Sequence, residues 1–181
     1  MKKTILFFGL LIAASATFAQ KKTTTSATIA FDATTSLDAL PKAENKTAVA
    51  SLDTKTGAVA FESVIKNFAF SNPKIQEHFN TAGWMDSDKF PTATFKGMIT
   101  NLSAVNFKKD GTYTANVEGD LTMHGETQKV KTVATIVVSG KTITTTSNFT
   151  VKLEDYKVSG GAIAAGKVTK EPKITVTAEF K

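Results

Sequence analysis

A chain of 181 residues with thirteen phenylalanines, two histidines and no cysteine has no disulfide staple and no thiolate metal site, and it is long enough for one domain with a self-sufficient core. Its net charge of +6 comes from lysines scattered among strand-like segments. There is no arginine-rich run and no basic–aromatic platform, which excludes nucleic acid as a partner.

In chain order, Lys2 and Lys3 precede an apolar run from Ile5 to Ala14, and Thr17-Phe18-Ala19 follows with the small-x-small pattern that signal peptidase reads. The run is about ten residues, roughly half of what a bilayer-spanning helix needs. Residues 1–19 therefore read as a signal peptide cleaved after Ala19, which predicts a periplasmic or secreted protein with no stable membrane insertion. Losing Lys2 and Lys3 lowers the net charge from +6 to +4. Residues 20–27 are polar and are expected to be a flexible lead-in to a single domain over 28–181.

Strands are predicted around Thr28 to Asp32, Thr47 to Leu52 and Ala58 to Phe68, with a turn at Lys55-Thr56-Gly57. The segment from Asn72 to Phe79 breaks the pattern as a short helix. Asn72 can cap it, and Pro73 suits the first helical position, where its missing N–H is not needed. A turn at Ser87-Asp88-Lys89 leads to a strand from Thr92 to Leu102, and Asp110-Gly111 and Ser139-Gly140 are hairpin signals.

The clearest alternation is in the second half of the chain. Tyr113, Ala115, Val117, Gly119, Leu121 and Met123 face one way, against Thr112, Thr114, Asn116, Glu118, Asp120 and Thr122. A strand from Gln128 to Val138 follows. Then Ile143, Thr145, Ser147, Phe149, Val151 and Leu153 form the next inner set, and Ile174, Val176, Ala178 and Phe180 the last. Period-two alternation with one wet face is half-buried antiparallel sheet. About eight such strands in one domain must hide their edges and their apolar face, and closure does both. The predicted fold is all-β, an eight-stranded antiparallel barrel with a short helix inserted between strands.

Eight strands enclose an interior that side chains just fill, or one that just holds a small ligand. Ala115, Gly119, Thr145, Ser147 and Ala178 sit near mid-strand. They either taper a filled barrel or leave space in an open one, and composition leaves both open.

Polar chemistry is sparse. His78 and His124 lie in no metal-ligand spacing, and Asp86, Asp88 and Glu77 lack the glycine and terminal glutamate of a calcium loop. Neither a nucleophile elbow nor a phosphate loop is present, and Gly160-Gly161 near Gly166 reads as a flexible loop. The aromatic residues are more telling: Phe61, Phe68, Phe70, Phe79, Trp84, Phe90, Phe95 and Phe107 cluster in sequence.

Two motifs carry a resemblance to a known family. One is His78-Phe79 followed by Trp84-Met85-Asp86-Ser87-Asp88-Lys89-Phe90-Pro91-Thr92-Ala93-Thr94-Phe95-Lys96-Gly97. The other runs from Tyr113 through Gly119-Asp120-Leu121-Thr122-Met123-His124-Gly125-Glu126-Thr127 to Val130. Together they resemble the YceI-like family over nearly the whole stretch from Thr28 to Lys181. The resemblance implies an exported, lipocalin-like barrel that binds a polyisoprenoid or another long-chain lipid. It departs from the family at the opening strands between Phe31 and Val49 and at Asn148 to Leu153.

The resulting expectation is an exported carrier of a long apolar lipid, such as a polyisoprenoid or an isoprenoid quinone, with no catalysis, cofactor or metal. Alternation and motif position nominate Phe61, Ile65, Phe79, Trp84, Phe95, Ile99, Val117, Leu121, Phe149 and Val151 as ligand-binding residues. His124 is expected to end its strand in a structural turn, with Thr122 and Thr127 bonding local backbone groups. Two rival readings are a secreted structural or stress-associated barrel with a filled lumen and no ligand, and a lipid hydrolase or isomerase using His124 with Asp120 or Glu126.

Overall fold

The computed structural model describes residues 21–181. The expected signal peptide and its cleavage after Ala19 lie outside these residues. Nine strands form one sheet: β1 Lys21–Asp32, β2 Lys42–Asp53, β3 Ala58–Val64, β4 Ala69–Phe70, β5 Thr92–Ile99, β6 Gly111–Met123, β7 Glu126–Ser139, β8 Thr142–Thr150 and β9 Lys173–Phe180. The spatial order is β1-β9-β8-β7-β6-β5-β3-β2, every pair is antiparallel, and β2 returns to pair with β1. This is the expected closed eight-stranded barrel. The two-residue β4 adds an extra rung beside Ala43 and Glu44 of β2.

Residues 21–27 are not a loose lead-in but the first half of β1, with Lys21 registered opposite Asp53 and Thr24 opposite Ala50. The reason is closure, since without this half the end of β2 would remain an unpaired edge. Threonine-rich backbone suits a pleated strand even where apolar alternation is weak. Ala27, just past an irregularity in the ladder, is fully buried.

Several strands stop sooner than alternation implied. Ile65 to Asn67, Leu102 and Leu153, expected to continue strands, belong instead to the 3-10 turns Ile65–Asn67, Leu102–Ala104 and Leu153–Tyr156. Asp110-Gly111 is not a two-residue hairpin either, because β5 and β6 are joined by the longer segment 100–110. The Asp110 carboxylate instead accepts the Gly140 N–H at 2.8 Å, bracing the neighbouring β7–β8 turn.

The helix forms as its cap predicts. Helix α1 spans Pro73–Asn80, and the Asn72 side chain accepts the Lys74 N–H at 3.0 Å. Its one buried residue, Phe79, plugs one end of the barrel. It stacks on Phe31 with ring centroids 5.4 Å apart and meets Phe70 at 5.0 Å, Phe68 at 5.9 Å and Trp84 at 5.4 Å. A second short helix, α2 Gly161–Ala164, lies in the β8–β9 connection. Among the described residues, no helix is long and apolar enough to cross a membrane.

The core is split between the two poles of the barrel. One cluster gathers Ala27, Ala48, Leu52, Ala115, Ile136, Ile143 and Phe180 with their neighbours. The other gathers Phe31, Ile65, Phe68, Phe79, Met85, Leu153 and Tyr156 beneath α1 and the 3-10 turn at Leu153–Tyr156. Space is left between them.

Candidate ligand-binding cavity

A cavity of about 170 Å³ runs between the poles. That is room for on the order of a dozen water molecules, far more than the isolated voids of a close-packed interior. The lumen is therefore open.

Its wall comes from the inward faces of the strands. Phe61 of β3 is registered beside Phe95 of β5, which in turn lies beside Leu121 of β6, while Ile65 in the turn after β3 and Ile99 at the end of β5, beside Val117, line opposite ends of this wall. Phe149 of β8 and Val151 just beyond it line the far side, and Phe79 and Trp84 close the helix end. All ten nominated residues thus line one cavity. Sequence reasoning left out several others: Ile29 and Phe31 of β1, Val130 and Ile136 of β7, and Ile174 and Val176 of β9. The last two were visible in the C-terminal alternation, and Phe31 in the i, i+2 spacing with Ile29.

The small mid-strand residues divide into two kinds. Thr145 and Ser147 line the lumen, so their short side chains do leave room. Gly119 does not: a Cβ there would stand 2.6 Å from Phe95 Cζ, so the ring occupies the space. Ala115 and Ala178 are buried in the cluster at the pole opposite the helix.

Among the described residues, no charged side chain and no histidine lines the cavity. Its polar groups are hydroxyls, and several are already engaged. Ser63 accepts from the fully buried Asn45 amide at 2.9 Å, and Ser147 donates to the Val133 carbonyl at 3.0 Å while meeting Thr132 Oγ1 at 2.8 Å. Such a surface solvates an apolar chain and offers an ionised group no partner.

The titratable groups that could suggest chemistry lie elsewhere. His124 and Gly125 both have positive φ, 53° and 80°, and form the two-residue turn between Met123 and Glu126, as a type I′ hairpin requires. The His124 Nδ1–H donates to the Tyr156 carbonyl at 2.9 Å, and its ring lies 4.7 Å from that of Phe90. Thr122 and Thr127 bond each other at 2.8 Å across this hairpin rather than local backbone. Asp120 pairs with Lys129 at 2.8 Å and Glu126 with Lys157 at 2.6 Å. Asp88 pairs with Lys66, and among the described residues no group of three or more acidic or histidine side chains could hold a metal ion. Tyr156 is almost fully buried, and burial, with the Asp155 charge beside it, pushes its phenol up to about 12.

A closed antiparallel β-barrel enclosing a long, uncharged, apolar lumen is a lipocalin-like barrel. The chain belongs to the YceI-like domain family, whose sequence profile matches residues 10–180. A UPF0312 protein from Pseudomonas fluorescens is 37% identical over 65 residues, covering 36% of this chain and 32% of that protein, so the match spans about a third of the relative's length. A polyisoprenoid binding domain from Saccharophagus degradans, implicated in plant cell wall breakdown, superposes with a TM-score of 0.74 at 10% identity, covering 90% of this chain and 98% of that one. Burkholderia cenocepacia BcnA superposes at 0.71 with 18% identity, covering 84% and 95%. The Campylobacter jejuni YCEI protein does so at 0.56 with 19% identity, covering 75% and 80%.

Proposed function

We propose that the protein is an exported carrier that holds a long isoprenoid, or another apolar lipid, in the barrel lumen and catalyses no reaction. The observation that carries this reading is the open cavity between two well-packed poles, walled by apolar side chains and lacking any charged group. Burying a chain there yields about 0.8 kcal/mol per methylene removed from water, against which ordering costs are set.

The Saccharophagus domain of the same fold supports the choice of a polyisoprenoid. The basic, apolar and small-residue pattern of residues 1–19 supports export to the periplasm or beyond. The ligand contacts Phe61, Ile65, Phe95, Ile99, Val117, Leu121, Phe149 and Val151 along the tube, with Phe79 and Trp84 at the helix end. The open lumen supports this reading over a secreted structural or stress-associated barrel without a ligand.

The test is lipid extraction and mass spectrometry of the protein purified from its own host, with uptake of added isoprenoid measured in parallel. A stoichiometric apolar lipid is expected. Neither co-purified lipid nor uptake would end the proposal.

A further inference from the structure

The β7–β8 ladder stops halfway. Registered partners run from Ser139 and Thr142 to Ala134 and Ser147 and then cease, although β7 extends back to Glu126 and β8 on to Thr150. On their other sides both strands stay paired, β7 with β6 as far as Glu126 and β8 with β9 as far as Thr150. A seam therefore runs down the wall with no strand pairing across it.

Two other ladders in the barrel also end early, and each is sealed from within. Between β2 and β3 the fully buried Asn45 fills the break, donating to Ser63 Oγ and the Val64 carbonyl at 2.9 Å each and accepting from the Thr47 N–H and hydroxyl at 2.8 Å each. The β1–β9 ladder ends beside Ala27, Ala178 and Phe180, all buried at a packed pole. The β7–β8 seam has no buried plug: the side chains that bridge its head are the half-buried hydroxyls of Ser147, which donates to the Val133 carbonyl at 3.0 Å, and Thr132, which reaches the Asn148 carbonyl at 3.4 Å.

At its head, Thr132 and Ser147 touch through their hydroxyls at 2.8 Å. At its foot, the 3-10 turn Leu153–Tyr156 is held by surface contacts. Gln128 Nε2 donates to the Asp155 carbonyl at 2.8 Å, His124 Nδ1–H to the Tyr156 carbonyl at 2.9 Å, and Lys157 pairs with Glu126. Between head and foot, both banks carry residues of the cavity wall: Val130 and Thr132 on one, Phe149 and Val151 on the other. Val130 and Phe149 are only half-buried. The exposed Lys129 and Lys131 stand along the same stretch of β7, paired to Asp120 and Glu118, a placement of charge that discourages a further strand from adding to an open edge.

We propose that this seam is the portal of the cavity. The banks 126–133 and 148–152 part, the Gln128 and His124 contacts act as the latch, and a lipid slides sideways into the lumen. This rests on the carrier reading above. Parting the seam breaks a few side-chain contacts, whereas passage past α1 must disperse the cluster of Phe31, Phe68, Phe79 and Trp84. Low-stability elements of this kind are where a structure opens locally.

The chain has no cysteine, so replacing Thr132 and Ser147 together by cysteine (T132C/S147C) creates a single staple. The present 2.8 Å between the two hydroxyls brings the sulfurs within bonding reach. Trp84 is the sole tryptophan and lines the cavity, so its quenching by a short-chain ubiquinone in a stopped-flow instrument reports uptake. The oxidised staple should slow uptake by roughly tenfold or more relative to the reduced form of the same variant, and dithiothreitol should restore the rate. A control staple, T144C/E179C, joins registered partners of the continuous β8–β9 ladder and should leave the rate unchanged. Gln128→Ala, which removes one latch contact without a staple, should speed uptake several-fold.

Equal rates with the staple open and closed, an equal slowing by the control, or an unchanged rate in Gln128→Ala would overturn the portal. If the ubiquinone binds but the rates ignore the seam, the portal alone fails. If it quenches Trp84 in no form of the protein, the carrier reading fails and the portal with it.

Discussion

The ring of Phe95 lies against Gly119 on the neighbouring strand, so that a Cβ on the glycine would meet Phe95 Cζ at 2.6 Å and the Lys96 carbonyl oxygen at 2.5 Å. Gly97, registered opposite Gly119, is as crowded, with Glu118 O at 2.5 Å. The paired glycines form a bare patch on the inner wall over which an aromatic side chain folds, which is one reason glycine is kept inside a strand. Gly119→Ala should therefore cost about 2–4 kcal/mol by urea denaturation. Phe95→Ala in the same chain should not restore the loss, because the backbone contact remains. Full rescue would mean that the ring alone imposes the glycine.

Thr145 faces the open lumen in register with Ile136 and Ala178. Thr145→Phe should fill space rather than displace neighbours, holding the melting temperature level or raising it by the equivalent of about 1 kcal/mol. Isoprenoid binding in a fluorescence titration should weaken by roughly tenfold or more, about 1.4 kcal/mol. Undiminished binding would place the lipid outside this part of the cavity.

Phe79 anchors α1 through four aromatic neighbours. Phe79→Ala should destabilise the fold by about 3–5 kcal/mol, and Phe79→Leu by much less. Thermal and urea unfolding distinguish the two, and similar losses for both would mean that ring packing contributes little.

His124 serves the hairpin and the 3-10 turn. His124→Gln should cost about 1–2 kcal/mol, through the lost bond to Tyr156 and the positive φ, which histidine adopts more readily than glutamine. The amount of lipid bound at equilibrium should not change. Loss of a lipid-converting activity in this variant would show the residue to be chemical.

The buried Tyr156 phenol, raised to about 12, predicts an alkaline limit to stability. Between the ordinary tyrosine value of 10 and 12, the unfolded chain releases this proton and the folded chain retains it. The contribution is thus complete below pH 10 and is lost as the pH rises towards 12, about 2 kcal/mol in all. Denaturant midpoints measured across that window should fall more steeply for the native protein than for Tyr156→Phe. Identical slopes would remove the burial argument.

The barrel was legible because half-buried antiparallel strands must alternate, and the sequences of β6 and β9 do so throughout, while β8 does so at its ends through Ile143 and Phe149 and runs as threonine, serine and asparagine between them. Asn72-Pro73 marked α1 for equally local reasons. What escaped was set by partners distant in sequence. Threonine-rich residues 21–27 join the sheet because β2 needs a neighbour. Gly119 looked like vacant space until Phe95 was seen to occupy it, and Asp110 reads as a turn residue until its carboxylate is found on Gly140. Alternation along β7 continues past Ala134 without a break, so nothing local announces that its pairing with β8 ends there.

The core's division into two poles also bears on how the protein is handled once it is made. An occupant of the gap would knit the clusters into one continuous body and stabilise the fold in proportion to its affinity and supply. Empty molecules would then be the ones that open, and the first that a protease cuts. Turnover in the compartment would track loading, so that unfilled copies are removed while charged ones persist.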